Sequence, residues 1–303
     1  MQTTSNILLI RPANFGFNEE TRASNVFQKE LNENAETVRQ KASLEFETFA
    51  SQLKSHGVNV FDFDDTPSPV KTDAVFPNNW ISFHADGTVV LYPMLSANRR
   101  LERRADIIES LKDKFEITNI IDLSIYESEN LFLEGTGSIV FDHSNKIAYA
   151  ALSPRTDKEL FLDLCEKLNY KPVIFTAHDR SGSEIYHTNV MMCIGEEFAV
   201  ICLESITDES ERANVFSKLA TTGHEIVDIT FDQMNSFAGN MLVMRNDLLL
   251  MSQSAFDSLT DPQKTALEKY CELLPLAIPI IETVGGGSAR CMIAEIFLPP
   301  IGP

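Results

Sequence analysis

Five segments of the sequence place polar side chains of chemically useful types directly before an apolar run. They supply carboxylate, amide, imidazole and thiol groups. The segments are DAVFPNNW with Asp73, Asn78 and Asn79, LFLEGTGS with Glu134, IYHTNV with His187 and Asn189, FAGN with Asn240, and GGGSARC with Cys291. A thiol, an imidazole and a carboxylate are together the components of a nucleophilic catalytic site.

Cys291, His187 and Glu134 are the predicted catalytic residues. A thiolate attacks an electrophilic carbon, an imidazole moves protons, and a carboxylate orients the imidazole or holds the substrate. Cys291 follows a glycine-rich loop, and the adjacent Arg290 would lower its pKa. The structural alternatives are an inert thiol, a hydrogen-bonded histidine, and a carboxylate that binds the backbone amides of its own turn.

The other four cysteines are predicted to be structural, because they lie in apolar runs or near a predicted helix end. They are Cys165, Cys193, Cys202 and Cys271. The absence of Cys-x-x-Cys spacing argues against a zinc ribbon, and the odd cysteine count argues against a disulfide framework. No histidine-based metal motif and no acidic calcium loop occurs in the sequence, so we expect neither a metal nor a cofactor.

A repeated unit is predicted to position these side chains. Four times, two apolar strands joined by a tight polar turn are followed by an amphipathic helix and a third strand. The turns are Asp86-Gly87, Ser144-Asn145, Gly195-Glu196 and Asn246-Asp247, at intervals of about 50–60 residues. The third strands are predicted at ITNIIDLS, KPVIFTA, HEIVDIT and LAIPIIE.

A fifth unit is predicted from the two ends of the chain. It combines NILLIRP, a helical region at roughly residues 20–57, VNVFDFDD, and CMIAEIFLP, a strand that Cys291 opens. Such units bury their apolar faces by packing around a common axis. The predicted fold is therefore α/β, a five-bladed propeller of ββαβ units in one domain, residues 1–303. A doubly wound sheet is disfavoured, because its parallel strands are joined by crossovers and not by hairpins.

The formal net charge of −19 excludes partners that are themselves strongly negative. A chain with this charge repels nucleic acid and anionic membranes and attracts a small cation. The opening segment MQTTSNILLI lacks the basic region of a signal peptide, so we expect a first strand and a cytoplasmic location. Arg99, Arg100 and Arg155 follow two of the hairpins, where they could hold a carboxylate or lie on a solvated helix face.

These motifs resemble those of the pentein, or guanidine-modifying, superfamily. The resemblance covers essentially the whole chain and is nearest to the arginine deiminase-related hydrolases of citrulline utilisation and to the dimethylarginine dimethylaminohydrolases. It implies a five-bladed propeller of ββαβ units. It also implies catalytic or substrate-binding roles for the matching residues, which are Cys291, His187, Glu134, Asp73, Arg155 and the pair Arg99-Arg100.

The sequence departs from the superfamily pattern at three amides. Asn78 and Asn79 replace an acidic pair, and Asn189 replaces the aspartate of a His-x-Asp motif. An amide offers both a donor and an acceptor, so it can satisfy a neutral ureido group, which a carboxylate cannot do fully. Citrulline is thus at least as well matched as arginine, although Asp73 and Glu134 could pair with a guanidinium.

The predicted function is hydrolysis at the guanidino or ureido carbon of citrulline or arginine through a covalent adduct with Cys291. The alternatives are an amidinotransferase, a dimethylarginine dimethylaminohydrolase, and a non-catalytic binding protein with the same fold. The expected partner is a small guanidino or ureido amino acid, with a second copy of the chain as a further candidate. The predicted substrate-binding residues are Asp73, Asn78, Asn79, Arg99, Arg100, Arg155, Asn189 and Asn240.

Overall fold

The computed structural model describes residues 1–245 and 247–302. Short strands and helices alternate along the chain. The strands are β1 (Asn6–Arg11), β2 (Asn59–Asp64), β3 (Ile81–Phe83), β4 (Thr88–Leu91), β5 (Asn119–Asp122), β6 (Val140–Asp142), β7 (Ile147–Leu152), β8 (Lys171–Thr176), β9 (Met192–Ile194), β10 (Phe198–Ile201), β11 (Glu225–Asp228), β12 (Leu242–Met244), β13 (Leu248–Ser252), β14 (Glu272–Leu276) and β15 (Ala294–Glu295). The helices are α1 (Ala35–Ser55), α2 (Ala105–Leu111), α3 (Gly135–Ser138), α4 (Lys158–Leu168), α5 (Thr188–Met191), α6 (Glu209–Thr221), α7 (Phe231–Asn235), α8 (Gln253–Ser258) and α9 (Asp261–Glu268).

In the described residues, the strands form five three-stranded sheets with one shared pattern. The orders are β15-β1-β2, β3-β4-β5, β6-β7-β8, β9-β10-β11 and β12-β13-β14. Each middle strand pairs antiparallel with the first strand of its sheet and parallel with the third. One or two helices join the parallel pair, as a parallel connection requires. This is the predicted ββαβ unit, and β15 completes the sheet of β1 and β2 from the far end of the sequence.

The described residues group into two compact units. The three-sheet unit holds residues 1–3, 136–277 and 288–290, and in it β9 lies against both β6 and β12. The two-sheet unit holds residues 4–135, 278–287 and those from Cys291 onward, and in it β15 contacts β3. The mixed α/β class with five equivalent units is confirmed. The closed propeller and the single domain stay predictions.

The helix α1 begins later than the sequence pattern indicated. Helix was predicted from about residue 20, whereas α1 starts at Ala35, because Asn34 caps it by accepting from the N–H of Thr37 at 2.8 Å. Its apolar face buries Phe46, Phe49 and Leu53. The preceding residues instead form turns, which hydrogen-bond to other segments of the two-sheet unit.

The strand predicted at LAIPIIE is also displaced. The third strand of that sheet is β14, which ends at Leu276, and residues 279–285 are helical. The carboxylate of Glu45 accepts from the N–H groups of Ile280 and Ile281 at 2.9 and 3.0 Å, which caps this turn and separates it from the sheet.

Turn and cap chemistry fixes most of the other predicted boundaries. Gly87 has φ +85° in the first hairpin turn, and Gly223 has φ +88° just past α6, whose start is capped by Asp208. Thr260 caps α9 in a reciprocal capping box. The turn expected at Asn246-Asp247 falls partly on a residue outside the described ones. Within the described range, no helix combines the length and the apolar character needed to cross a membrane.

Candidate active site

A short turn precedes the first strand of each sheet, and the predicted site residues lie on or beside these turns. The turns are Pro77–Asn79, α3, α5, residues 236–239 and residues 289–292. The sequence predicted that Cys291 opens a strand and that the His187 segment lies directly before an apolar run. Cys291 instead lies in the turn before β15, and His187 is the N-cap residue of α5. The strands start later because the backbone at these positions is helical or turned.

The site side chains are almost all buried. Arg100 is the partly exposed member of the predicted set, and the others have exposed fractions of 6% or less. The buried members are Asp73, Asn78, Asn79, Arg99, Glu134, Arg155, His187, Asn189, Asn240 and Cys291. Polar groups are buried at a cost unless they are hydrogen-bonded, so the buried polar side chains on these turns are candidate functional residues.

The glycine loop brings Cys291 close to the ring of Phe76 within the two-sheet unit. A Cβ added at Gly287 would lie 2.9 Å from Cε1 of Phe76 and 3.3 Å from Cβ of Cys291. Gly286 has φ +64°, and Asn25 lies against it. Only glycine fits this close passage of the backbone. Phe76 directly precedes the Pro77–Asn79 turn, so the glycine loop packs beside the segment that leads into that turn.

Glu134 lies beside the same amide turn. Its side chain is fully buried, and its Oε1 atom accepts from the N–H of Leu95 at 3.0 Å. The next residue, Gly135, has φ +50°, and a Cβ added there would lie 2.2 Å from the carbonyl oxygen of Asn78. Glu134 therefore bonds to a segment distant in sequence and not merely to the amides of its own turn.

Arg99 contacts two carboxylates and one amide of the two-sheet unit. Its Nε and Nη2 atoms each donate to Glu102 at 2.9 Å, and its Nε lies 3.6 Å from Oδ2 of Asp73. Its Nη1 atom donates to Oδ1 of Asn79 at 2.8 Å. Arg99 is thus engaged by protein side chains, so its predicted role in binding a substrate carboxylate stays a prediction.

The bond from Arg99 also sets the orientation of Asn79. Because a guanidinium can only donate, Oδ1 of Asn79 must face it, and Nδ2 must point the other way. Nδ2 is buried and has no hydrogen-bond partner among residues 1–245 and 247–302. A buried N–H group in this condition is available to a substrate acceptor.

The carboxyl group of Glu102, buried beside Arg99, is harder to ionise than a free carboxyl group. Burial, with smaller contributions from the charges of Asp73 and Glu134, raises the pKa of Glu102 to about 7 against the opposing effect of Arg99. The same carboxylates raise the pKa of Arg99, which stays charged. Arg99 alone cannot neutralise Glu102, Asp73 and Glu134 together, so a raised pKa for one of these acids is the physically expected outcome.

His187 and Arg155 share an aromatic neighbour in the three-sheet unit. The rings of His187 and Tyr186 have centroids 4.7 Å apart, and Cζ of Arg155 lies 4.9 Å from the centroid of Tyr186. The carbonyl of Tyr186 accepts from Oγ of Ser153 at 2.8 Å, and the N–H of Arg155 donates to that Oγ at 3.1 Å. These contacts fix the segment that carries the predicted base beside the predicted carboxylate-binding arginine.

Asn240 joins two other turns of the three-sheet unit. Its Nδ2 atom donates to the carbonyl of Asn189 at 2.9 Å, and its Oδ1 atom accepts from the N–H of Arg290 at 3.1 Å. Oγ1 of Thr188 donates to the carbonyl of Ser138 at 2.6 Å, which ties α5 to α3. Asn240 thus has a structural task in addition to its predicted role in substrate binding.

Arg100 and the remaining cysteines complete the predicted set. Nε of Arg100 donates to the carbonyl of Met94 at 3.0 Å, and Nη2 donates to that of Leu95 at 3.3 Å, so Arg100 supports the segment that binds Glu134. Burial raises the pKa of four thiols to about 12, namely those of Cys165, Cys193, Cys202 and Cys271. No group of three or more metal-ligating side chains occurs in the part of the chain that the structure describes.

The family described as N,N dimethylarginine dimethylhydrolase, eukaryotic, matches residues 11–298. The chain belongs to this family. A comparison with curated protein sequences gave no match. Membership confirms the resemblance to the guanidine-modifying superfamily and the expectation of a hydrolase that acts on C–N bonds other than peptide bonds.

Solved structures of low sequence identity share the fold of this chain. The N-terminal domain of ArgZ, an arginine dihydrolase from the ornithine-ammonia cycle in cyanobacteria, was solved with substrate bound to a cysteine-to-serine variant. It has a TM-score of 0.77 at 16% identity over 97% of this chain and 98% of that one. A variant of that domain covalently bound to a reaction intermediate has the same TM-score, identity and coverage. A dimethylarginine dimethylaminohydrolase adduct with S-methyl-L-thiocitrulline has a TM-score of 0.68 at 13% identity, over 98% of this chain and 100% of that one.

Three residues that contact predicted site residues were not identified from the sequence. Glu102 lies in the charged run RRLERR, which is typical of a solvated helix, although its spacing three residues after Arg99 permits an ion pair. Tyr186 precedes His187 and carried no signal of its own. Asn18 donates from Nδ2 to Oδ2 of Asp73 at 2.7 Å, and nothing in its local sequence indicated that contact.

Proposed function

We propose that this chain hydrolyses a C–N bond at the terminal planar carbon of a ureido or guanidino amino acid. Citrulline is the preferred substrate, and Cys291 is the nucleophile. The observation that carries the preference is the buried Nδ2 group of Asn79, which Arg99 turns away from itself. A ureido group has a carbonyl oxygen that can accept this N–H. A guanidinium has only donors, so it would leave the buried N–H facing another N–H at a cost of about 1–3 kcal/mol.

The proposed reaction has two stages. The Cys291 thiolate attacks the ureido carbon, and His187 protonates the amine that departs, which leaves a thiocarbamate on the sulfur. His187 then removes a proton from water, which attacks the same carbon and releases the thiolate and a carbamate. The carbamate decomposes, so citrulline gives ornithine, ammonia and carbon dioxide. With arginine, ammonia would be the amine that departs, the adduct on the sulfur would be a thiouronium, and its hydrolysis would release citrulline and the thiolate.

The remaining polar residues are proposed to hold the substrate. Asp73 and Glu134 would bind its nitrogens and stabilise positive charge that develops during the attack. Arg155 would bind the α-carboxylate, and its position beside Tyr186 and His187 supports that role. We assign this task to Arg155 rather than to Arg99, whose guanidinium is already bound by Glu102.

Hydrolysis of a dimethylarginine is the second candidate function. The family match over residues 11–298 favours it, and Asp73 with Glu134 could pair with a guanidinium. Transfer of an amidino group to an acceptor amine is a third outcome, which an amine-dependent rate would reveal. The closed propeller, the single domain, a homodimer and a cytoplasmic location accompany this proposal as predictions.

A substrate panel tests these candidates together. The purified chain is incubated with citrulline, arginine, agmatine and methylated arginines, with and without glycine, while ammonia, dimethylamine and ornithine are measured. We expect equal amounts of ornithine and ammonia from citrulline, and no turnover by Cys291→Ser at an unchanged melting temperature. Dimethylamine release from a dimethylarginine, without ornithine from citrulline, would instead establish the second candidate.

A further inference from the structure

Asn18 is a buried residue outside the predicted site motifs, and it lies against Asp73. It belongs to the segment between β1 and α1, and 2% of it is exposed. Its Nδ2 atom donates to Oδ2 of Asp73 at 2.7 Å. A hydrogen bond of this length to a carboxylate is a strong constraint on that carboxylate's orientation.

The orientation of the Asn18 carboxamide follows from the groups on its other side. Its Oδ1 atom accepts from the backbone N–H of Glu20 at 3.1 Å and from Nδ2 of Asn98 at 2.6 Å. A backbone N–H can only donate, so Oδ1 must face Glu20, and Nδ2 must face Asp73. Asn98 is itself held, because its N–H donates to the carboxylate of Glu20 at 2.9 Å.

Asp73 lies among charged groups, and Asn18 contacts it as a neutral hydrogen-bond donor. Arg99 lies 3.6 Å from Oδ2 of Asp73 and is bound by Glu102. Glu134 interacts electrostatically with Arg99, and the carboxylate of Glu20 lies beyond Asn98. Asn18 adds a hydrogen bond to Asp73 without adding another negative charge to this acidic neighbourhood.

We propose that Asn18 is a positioning residue for the reaction, which holds the Asp73 carboxylate in the orientation that binds the terminal nitrogen of the substrate. This inference rests on the proposed function, because it requires Asp73 to bind substrate. The contact itself is independent of that function, so the two can be tested separately.

The test is Asn18→Asp, a substitution of nearly the same shape. At this separation, two carboxyl groups cannot both ionise freely, so one of them acquires a raised pKa. Below that pKa, the new carboxyl group donates to Asp73 as Asn18 does. Above it, both are charged, they repel each other, and Asp73 is displaced.

Two readouts are compared with the wild type across pH 5 to 9. The folded-state pKa is raised above the unfolded one, so the stability of Asn18→Asp should approach that of the wild type at low pH and fall below it as the pH rises through the folded-state pKa. Its relative kcat/KM for citrulline should fall by about tenfold per pH unit above the folded-state pKa, since the donating form is lost in that proportion there. Asn14→Asp is the matched control, because Asn14 lies in the same segment and donates to the carbonyl of Pro67 on an exposed side.

Each result decides one part of the inference. A difference in stability between Asn18→Asp and the wild type that does not change with pH, as expected for Asn14→Asp, would overturn the contact between Asn18 and Asp73. A pH-dependent stability with a flat kcat/KM ratio would overturn the positioning role and leave the contact. An inactive wild type would overturn the proposed function, and with it the role of Asn18, while the stability readout would still measure the contact.

Discussion

The backbone N–H of Arg290 donates to Oδ1 of Asn240 at 3.1 Å, and the same side chain donates from Nδ2 to the carbonyl of Asn189 at 2.9 Å. One fully buried amide thereby joins the residue before Cys291 to the turn that directly follows His187. Both bonds lie in the three-sheet unit. The backbone entering the predicted nucleophile is therefore held by a side chain from another repeat.

Substitution of Asn240 by Asp should destabilise the protein although the shape is conserved. The carboxylate would still accept from Arg290, but it would face the carbonyl of Asn189 without a donor. We expect a loss of about 2–3 kcal/mol in the free energy of unfolding, which urea titration would measure. Asn235→Asp, on an exposed position at the end of α7, is the control and should change stability by less than about 0.5 kcal/mol. Equal losses in the two variants would contradict the bridging role.

Alkylation should distinguish Cys291 from the other thiols. Burial raises the pKa of Cys165, Cys193, Cys202 and Cys271 to about 12, so at pH 8 only about one molecule in 10,000 carries the thiolate at each site. Peptide mapping after brief exposure to iodoacetamide should show modification at Cys291 first. Activity should fall in step with that modification. A uniform rate at all five cysteines would favour the non-catalytic binding protein.

The sequence could predict those features that depend on local pattern. Tight turns such as Asp86-Gly87 and caps such as Asp208 depend on adjacent residues, and the recurrence of such turns identified four of the five units. The predicted start of α1 was wrong because residues 20–33 form turns and irregular segments, one of which is held by a bond from the N–H of Lys29 to the carbonyl of Thr283. The partners of the site residues could not be predicted for the same reason. Asn18 contacts Asp73, 55 positions away, and no local pattern reports such a pair.

Asn79→Asp should change substrate preference more than overall stability. A carboxylate keeps the acceptor that faces Arg99, so the structural bond survives. It loses the buried N–H proposed for a ureido oxygen and gains a charge that suits a guanidinium. We expect the ratio of kcat/KM for citrulline to that for arginine to fall at least about tenfold. Using the ratio cancels a general loss of activity, and an unchanged ratio would remove the main support for a ureido substrate.

Gly135→Ala should be far more costly than the same change at Gly182. Both glycines have positive φ, +50° and +83°, so each substitution carries a backbone penalty of about 1–2 kcal/mol. At Gly135 the new Cβ would also lie 2.2 Å from the carbonyl oxygen of Asn78, whereas at Gly182 nothing lies within 4 Å. The backbone beside Glu134 and Asn78 would have to move. We expect Gly135→Ala to lose roughly 2 kcal/mol or more beyond Gly182→Ala in urea titration, together with most of the activity.

Glu102 should make stability depend on pH. Its folded-state pKa is raised to about 7, above the ordinary 4.5, because burial outweighs the attraction of Arg99. A carboxyl group with a raised folded-state pKa contributes stability that is fully present below its unfolded pKa and lost as the pH rises through the folded value. The melting temperature should therefore decline between about pH 4.5 and 7, and Glu102→Gln should flatten that part of the profile.

The amide variant at position 102 still accepts one bond from Arg99 but presents an NH₂ group where the second oxygen stood. The stability of Glu102→Gln should therefore be lower overall. This overall decrease reports the loss of the ion pair, whereas the flatter pH profile reports the loss of the titrating group. Glu109→Gln is the matched control, because Glu109 pairs with Lys112 on an exposed face and should leave the pH profile unchanged. If Glu102→Gln retained the full decline between pH 4.5 and 7, another group would be responsible, and Glu102 would be ionised throughout, as a simple ion pair with Arg99.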